Sequence, residues 1–376
     1  MKVGWSFETS PEANELHNKV RNVPLTEQMG SITQLPGLAK RLRTGPDTIA
    51  VWLGGSPCQK ISKGVFFQQG GSGLVGPHAP PSNLFWKWHE AILEFLFHNK
   101  PGDLAAMSEM VEPADPDWTQ DFSAVGFPKK ISCHLYGGGA IRDRILFVHP
   151  DIAVPPPGPT GPHLTSRLWD GSYWPIARSM ETSPPTIRAI MPHLAVKIID
   201  GRAQTREREQ MTTLRVGTST GKVLLPSPLN IAQWMGVPQE FAYDWLQDTR
   251  DCSKVIDDID GDDLEYWNLR PEGARPPPER IAPCRQRRWC KQCGDTISLL
   301  GNGWHVGGTS AVLAEVIKGA VLAKIGKAEL RAHPFARFPV HRCPDKGPCP
   351  KAVTLDSLKL KQRKLREPPG PAPIFI

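Results

Sequence analysis

The stretch GGSPCQKIS (residues 54–62) follows directly on DTIAVWL (47–53). The upstream run is β-branched and aromatic, the composition of a buried strand. Gly54 and Gly55 end that strand and let the backbone turn sharply. Cys58 is therefore expected in a loop at the carboxyl end of a strand, the edge of an open α/β sheet where ligands bind.

The flanking segments extend this pattern. SNLFWKWHEAILEFLFHN (82–99) has the strongest helical period, with Leu84, Phe85, Trp88, Ile92, Phe95 and Leu96 on one face. DLAAMSEMV (103–111) reads as a strand ending near Glu109. KISCHLY (130–136) and RILFVH (144–149) read as a strand pair around GGGAIRD. Near the start, KVGWSF (2–7) is strand-like, and SPEANELHNKVRN follows with Ser10 as a helix cap and Pro11 at the first helical position. PLNIAQWMGVP (228–238) predicts a short helix stopped by Gly236. TSAVLAEVIKGAVLAKIG (309–326) predicts a helix capped by Thr309 or Ser310 and ended by Gly326. Strands alternating with helices indicate an α/β fold.

Other segments break the alternation. Residues 63–82, rich in Gly, Ser and Pro, predict a mobile surface loop. Residues 151–225 mix Pro/Gly loops with short β-like runs. Residues 239–300 carry an acidic patch, DDIDGDD (257–263), and a basic one, RQRRWCK (285–291). Residues 333–376 read as a basic, Pro-rich tail, in which KLKQRKLR (359–366) is a nuclear-import or phosphate-contacting segment or a plain solvated tail.

A chain of 376 residues holds one large domain or two moderate ones. The formal net charge of +7 favours a polyanionic partner such as nucleic acid. No secretory signal opens the sequence and no apolar run reads as long enough to span a membrane. The eight cysteines are accordingly expected as reduced thiols inside a cell. Cys284, Cys290 and Cys293, with His341, Cys343 and Cys349, bind zinc or remain unpaired thiols; the Cys-x5-Cys-x2-Cys spacing matches no common finger.

GGSPCQKIS resembles the catalytic motif of DNA cytosine-5 methyltransferases, Gly-Gly-x-Pro-Cys-Gln followed by an apolar-Ser pair. Five further blocks follow in that family's order. FETSPEA resembles its acidic ribose-binding turn, with Glu8 in place. LFWKWHEAIL resembles the helix beside the cofactor. SEMV resembles its Glu-Asn-Val motif, with Glu109 kept and Met110 for asparagine. AIRDRILFV resembles its Gln-x-Arg-x-Arg motif, with Arg142 and Arg144 kept and Ala140 for glutamine. GNGWHV resembles its closing Gly-Asn motif. PSPLNIAQWMGVP is similar to the short helix before that motif, with Val237 for phenylalanine.

The resemblance implies a Rossmann-like S-adenosylmethionine-dependent methyltransferase fold over 1–150 and 300–330, a target-recognition region over 151–299, and a tail over 331–376. It implies that Cys58 adds to cytosine carbon 6, that Glu109 donates to N3, that Arg144 bonds O2 and that Arg142 holds the nucleophile loop. Both arginines are expected to lower the thiol pKa, and residues 60–82 to close over a base flipped out of the duplex. The resemblance places S-adenosyl-L-methionine against Glu8, Ile32, Pro57, Leu84, Asn302 and Trp304. It places double-stranded DNA against Gln59, Ser62, Arg285, Arg287 and Arg288. The implied location is the nucleus in a eukaryote and the cytoplasm otherwise. A tRNA cytosine methyltransferase is the enzymatic alternative, although Lys60-Ile61-Ser62 fits the DNA branch better than the Pro-Phe-Thr of the RNA branch. A catalytically silent binding or regulatory protein is the other class.

Two departures stand out. The family's opening Phe-x-Gly-x-Gly block, which holds the methionine end of the cofactor, has no counterpart here, and Ser31-Ile32 stands where an acidic residue is usual. The expectation is an amino-terminally truncated chain that binds S-adenosylmethionine poorly as it stands.

Overall fold

A computed structural model of the chain describes residues 4–11, 13–14, 27–28, 30–55, 57–58, 60–62, 73–136, 142–157, 216–217, 223–224, 227–246, 296–297, 299–301, 303–330 and 349–366. Most of 151–299, including Arg285, Arg287 and Arg288, lies outside the described residues, as do Gln59, Asn302, Cys284, Cys290, Cys293, His341 and Cys343.

The centre is a four-stranded mixed sheet in an α/β arrangement. Its strands are β3 (Ala50–Gly55), β5 (Leu104–Met110), β6 (Phe127–Ser132) and β7 (Asp143–His149), in the order β3-β5-β7-β6. β3 and β5 are parallel, while β7 runs antiparallel to both of its neighbours. Among the described residues, β3 is paired on one side only, and Leu53 on it is 46% exposed. Two short parallel strands, β1 (Trp5–Ser6) and β2 (Glu27–Gln28), form a separate pair.

Every residue of β5 is buried, because helices cover both faces of the sheet. On one face, α1 (Leu35–Ala39), α2 (Phe85–His98) and α3 (Asp117–Phe122) pack Leu35, Phe85, Trp88, Ile92, Phe95 and Phe122 against Trp52, Leu104, Ala106 and Phe147. On the other, α6 (Val306–Lys324) sets Val312, Val316 and Ala320 against Ala105, Met107, Leu146 and Val148. The alternation of Ala105 and Met107 with Leu104 and Ala106 is the two-residue period of a strand buried on both sides. Lys324 Nζ fixes the end of α6 by meeting Asp103 Oδ1 at 2.6 Å and the carbonyl oxygens of Gly45 and Thr48 at 2.9 and 2.6 Å.

Several sequence expectations change here. α6 begins three residues earlier than Thr309, capped by His305, whose Nδ1 accepts from Gly308 N at 3.1 Å. It is 19 residues long and its most apolar 18-residue window has mean hydropathy 1.4, long and apolar enough to cross a membrane by length and composition, contrary to the reading that no such run exists. The buried stripe of α6 covers the sheet. Within 63–82, expected as a mobile loop, Val75 through Ala79 are buried and Leu74–Val75 forms strand β4. The expected tail folds back: β8 (Val353–Thr354) pairs antiparallel with β4, and α7 (Leu355–Arg366) buries Leu355 and Leu358. Leu355 and Leu358 were read as tail because KLKQRKLR dominates the composition there.

Between β7 and α6, α4 (Pro228–Trp234) starts at Ser227, which forms a capping box with Asn230, and ends before Gly236 at φ +69°. α5 (Gln239–Trp245) follows it. Val306 N donates to Met235 O at 2.9 Å, which docks α4 onto the start of α6.

His89 on α2 is fully buried, and neither ring nitrogen has a hydrogen-bond partner among the described residues. Burial pushes its pKa down to about 4, and burial, then Arg142, does the same to His305. The unfolded chain binds a proton at these histidines below about pH 6.5, and the folded chain resists it until about pH 4. Stability from each is full above pH 6.5 and is lost as pH falls toward 4, by about 2 kcal/mol per group at pH 5. His89→Leu is expected to raise stability at pH 7 by about 1–3 kcal/mol and to flatten its fall between pH 7 and 5. Urea melts at the two pH values check this; an unaltered pH dependence contradicts it.

Candidate active site

Both glycines of GGSPC are demanded by neighbours. A Cβ on Gly54 would stand 2.6 Å from the Trp88 ring, and one on Gly55 would stand 3.0 Å from Trp304 Nε1. Trp88 is held edge-on by Trp52, with ring centroids 5.9 Å apart, so it cannot retreat cheaply. Gly54→Ala is expected to cost about 2–3 kcal/mol of stability by overpacking and to lower the melting temperature well beyond Gly55→Ala. Equal melting temperatures for the two variants contradict this packing.

Past the glycines, the chain turns tightly. Ile61 N and Ser62 N donate to Cys58 O at 3.1 and 3.0 Å. Ile61 is fully buried and anchors the turn, while Cys58 and Ser62 are half-buried. Ser62 bridges Pro113, and Ala114 N donates to Ile61 O at 2.8 Å. Lys60 N donates to Ser82 Oγ at 3.2 Å. The loop is thus fastened to segments that follow β4 and β5.

Strand register brings the other groups to the same end of the sheet. Gly55 on β3 lies beside Glu109 on β5. Glu109 pairs with Leu146 on β7, which puts Arg144 diagonally across from it on the same face. Arg144 Nε meets Glu109 Oε1 at 2.5 Å, with both side chains nearly buried. The contact lacks the angle of a hydrogen bond, so it is an ion pair. Arg142, 3% exposed, donates from Nη1 to Gly301 O and from Nη2 to Gly303 O, each at 2.8 Å. It therefore ties the closing segment to β7. The expectation that Arg142 holds the Cys58 loop has a different counterpart: its two carbonyl partners carry Trp304 toward Gly55.

The thiol behaves otherwise than the sequence suggested. Burial, and after it the Glu109 charge, pushes the Cys58 pKa up; Arg144 and Arg142 act in the expected direction but are outweighed. The resting thiol is protonated near neutral pH. Ionising it requires solvent access to Sγ or a change in the charge balance around Glu109.

The remaining expected contacts divide. Ile32 and Leu84 are half-buried at the amino-terminal ends of α1 and α2. Pro57 and Trp304 are half-buried beside β3. Glu8 is exposed, and its Oε1 accepts from Thr9 N and Ser10 N at 2.7 and 2.8 Å. Sequence reasoning missed Trp88 as the residue that requires Gly54, and His305 as the cap. The His305-Val306-Gly307-Gly308 run held a usable signal, since a Cβ on Gly307 would lie 2.4 Å from Tyr136 O. Among the described residues, no cluster of three or more His, Cys, Asp or Glu could hold a metal ion.

No protein-family model and no curated protein matches this chain.

Proposed function

We propose that this protein is a Rossmann-like methyltransferase acting on cytosine carbon 5 in double-stranded DNA. One observation carries the reading: a thiol, a carboxyl and two guanidinium groups, drawn from three separate segments, converge at the carboxyl end of the parallel strands β3 and β5. These are the residue types that addition to a pyrimidine ring requires, and they lie in a series of blocks that resembles the cytosine-5 methyltransferases. The net charge of +7 is suited to a polyanionic partner.

Cys58, once ionised, adds through Sγ to carbon 6 of the ring, and the ring's electron pair moves so that carbon 5 becomes nucleophilic. Glu109, ionised at rest in its pair with Arg144, takes the proton that the thiol releases and delivers it to N3 as negative charge builds on the ring. Its ion pair with Arg144 loosens in the same step, leaving the guanidinium to bond O2. After carbon 5 is methylated its proton passes to water, the carbon 6–sulfur bond breaks with Cys58 leaving as the thiolate, and N3 returns its proton to Glu109. Half-buried apolar side chains of Ile32, Leu84 and Trp304 suit an adenine, and the exposed backbone at Gly55 beside Trp304 leaves room for a close approach. S-adenosyl-L-methionine, when held there, supplies an electrophilic methyl on a sulfonium.

The test is transfer of labelled methyl from S-adenosylmethionine to duplex DNA and to tRNA. Label on carbon 5 of DNA cytosine supports the reading. Label on tRNA alone favours the RNA enzyme, and DNA binding without label favours the silent protein.

A further inference from the structure

The carboxyl-terminal residues were expected to be a tail, yet they touch both segments that fasten the Cys58 loop. On one side, Val353 and Thr354 pair with Val75 and Leu74, and Leu355 N donates to Gly73 O at 3.1 Å. One residue further along that same segment, Gly76 N donates to Lys60 O at 2.9 Å, two positions after the nucleophile. Gly76 has φ +102° and lies over the Trp118 ring, 3.3 Å from where a Cβ would stand, so this turn is fixed in place. On the other side, Lys361 Nζ meets Asp115 Oδ2 at 2.9 Å and Asp117 Oδ2 at 2.5 Å. Asp115 is 4% exposed and directly follows Ala114, whose N–H donates to Ile61 O. Leu355, Leu358 and Cys349 are buried in the same core as Ile61 and Val75, with Cys58 packed against its margin.

From this geometry we infer that residues 349–361 form a strap that positions the Cys58 loop, with Lys361 and Leu358 as its fastenings. The strap cross-links the 73–76 segment to the 114–117 segment, and the loop hangs between them. Undocking it frees both supports at once, and the half-buried thiol gains solvent and mobility. Lys361 and Leu358 act through the loop and are positioning residues. The inference goes beyond the proposed reaction, because the reactivity of the thiol needs neither cofactor nor nucleic acid to be read.

Iodoacetamide labelling of the full chain at pH 8, followed peptide by peptide by mass spectrometry, tests it. Cys349 reports whether the strap is docked, Cys58 reports the loop, and backbone hydrogen exchange in the fully buried strand β5 reports global opening. In Leu358→Asp, which puts a charge in the core, labelling at Cys349 and Cys58 is expected to rise together by ~30-fold or more, with exchange in β5 changing far less. A rise at Cys349 alone overturns the inference, and so do unchanged rates at both sulfurs. If exchange in β5 rises equally, the chain has opened as a whole and Lys361→Met carries the test. That variant is expected to speed Cys58 labelling roughly three- to tenfold, with Lys361→Arg restoring the original rate; no change in Lys361→Met overturns the inference.

Discussion

Glu109→Gln is expected to lower methyl transfer by roughly 10²–10⁴-fold while making Cys58 more reactive toward iodoacetamide near neutral pH. The two effects have one origin. The Glu109 charge is the second contribution, after burial, that holds the Cys58 thiol above its ordinary pKa. An amide removes that charge and also releases Arg144, whose influence already favours the thiolate. The alkylation midpoint should therefore move to lower pH. Catalysis falls because an amide cannot deliver a proton to N3. Arg144→Gln should move the midpoint the opposite way. Slower alkylation in Glu109→Gln, or an unshifted midpoint, contradicts the charge arrangement described at the site.

Cys58→Ser is expected to abolish methyl transfer, by roughly 10⁴-fold or more, with little change in stability. Sγ is the only atom of the chain that the proposed chemistry bonds to the base, and a hydroxyl is far less acidic and less nucleophilic than a thiol. The side chain is half-buried at the margin of the core, and oxygen is smaller than sulfur, so the packing around Ile61 and Trp88 survives. Urea melts of the variant should overlay those of the parent, which separates loss of chemistry from loss of fold.

The strands and helices near the site were legible because their residues report burial directly. DTIAVWL, SNLFWKWHEAIL and DLAAMSEMV are long apolar runs or strong periods, and they became β3, α2 and β5. The pairing was less legible. That β7 lies between β5 and β6 depends on contacts distant in sequence, which local pattern does not encode. The tail was misread because seven charged residues surround Leu355 and Leu358, and only the β4 partner shows that those two leucines face a core. The thiol was misread for a similar reason. Arg142 and Arg144 are visible in the sequence as charges, but burial of Cys58, the larger effect on its proton, arises only when it packs against the core that holds Ile61.

The most direct measurement of the central claim is a covalent trap. Duplex DNA carrying 5-fluorocytosine, with S-adenosylmethionine, leaves no proton on carbon 5 after methylation. The carbon 6–sulfur bond then cannot break by elimination. The account predicts a protein–DNA adduct that survives denaturation, maps by mass spectrometry to the peptide containing Cys58, and is missing from Cys58→Ser. An adduct that persists in Cys58→Ser, or one that maps to a different cysteine, would contradict it.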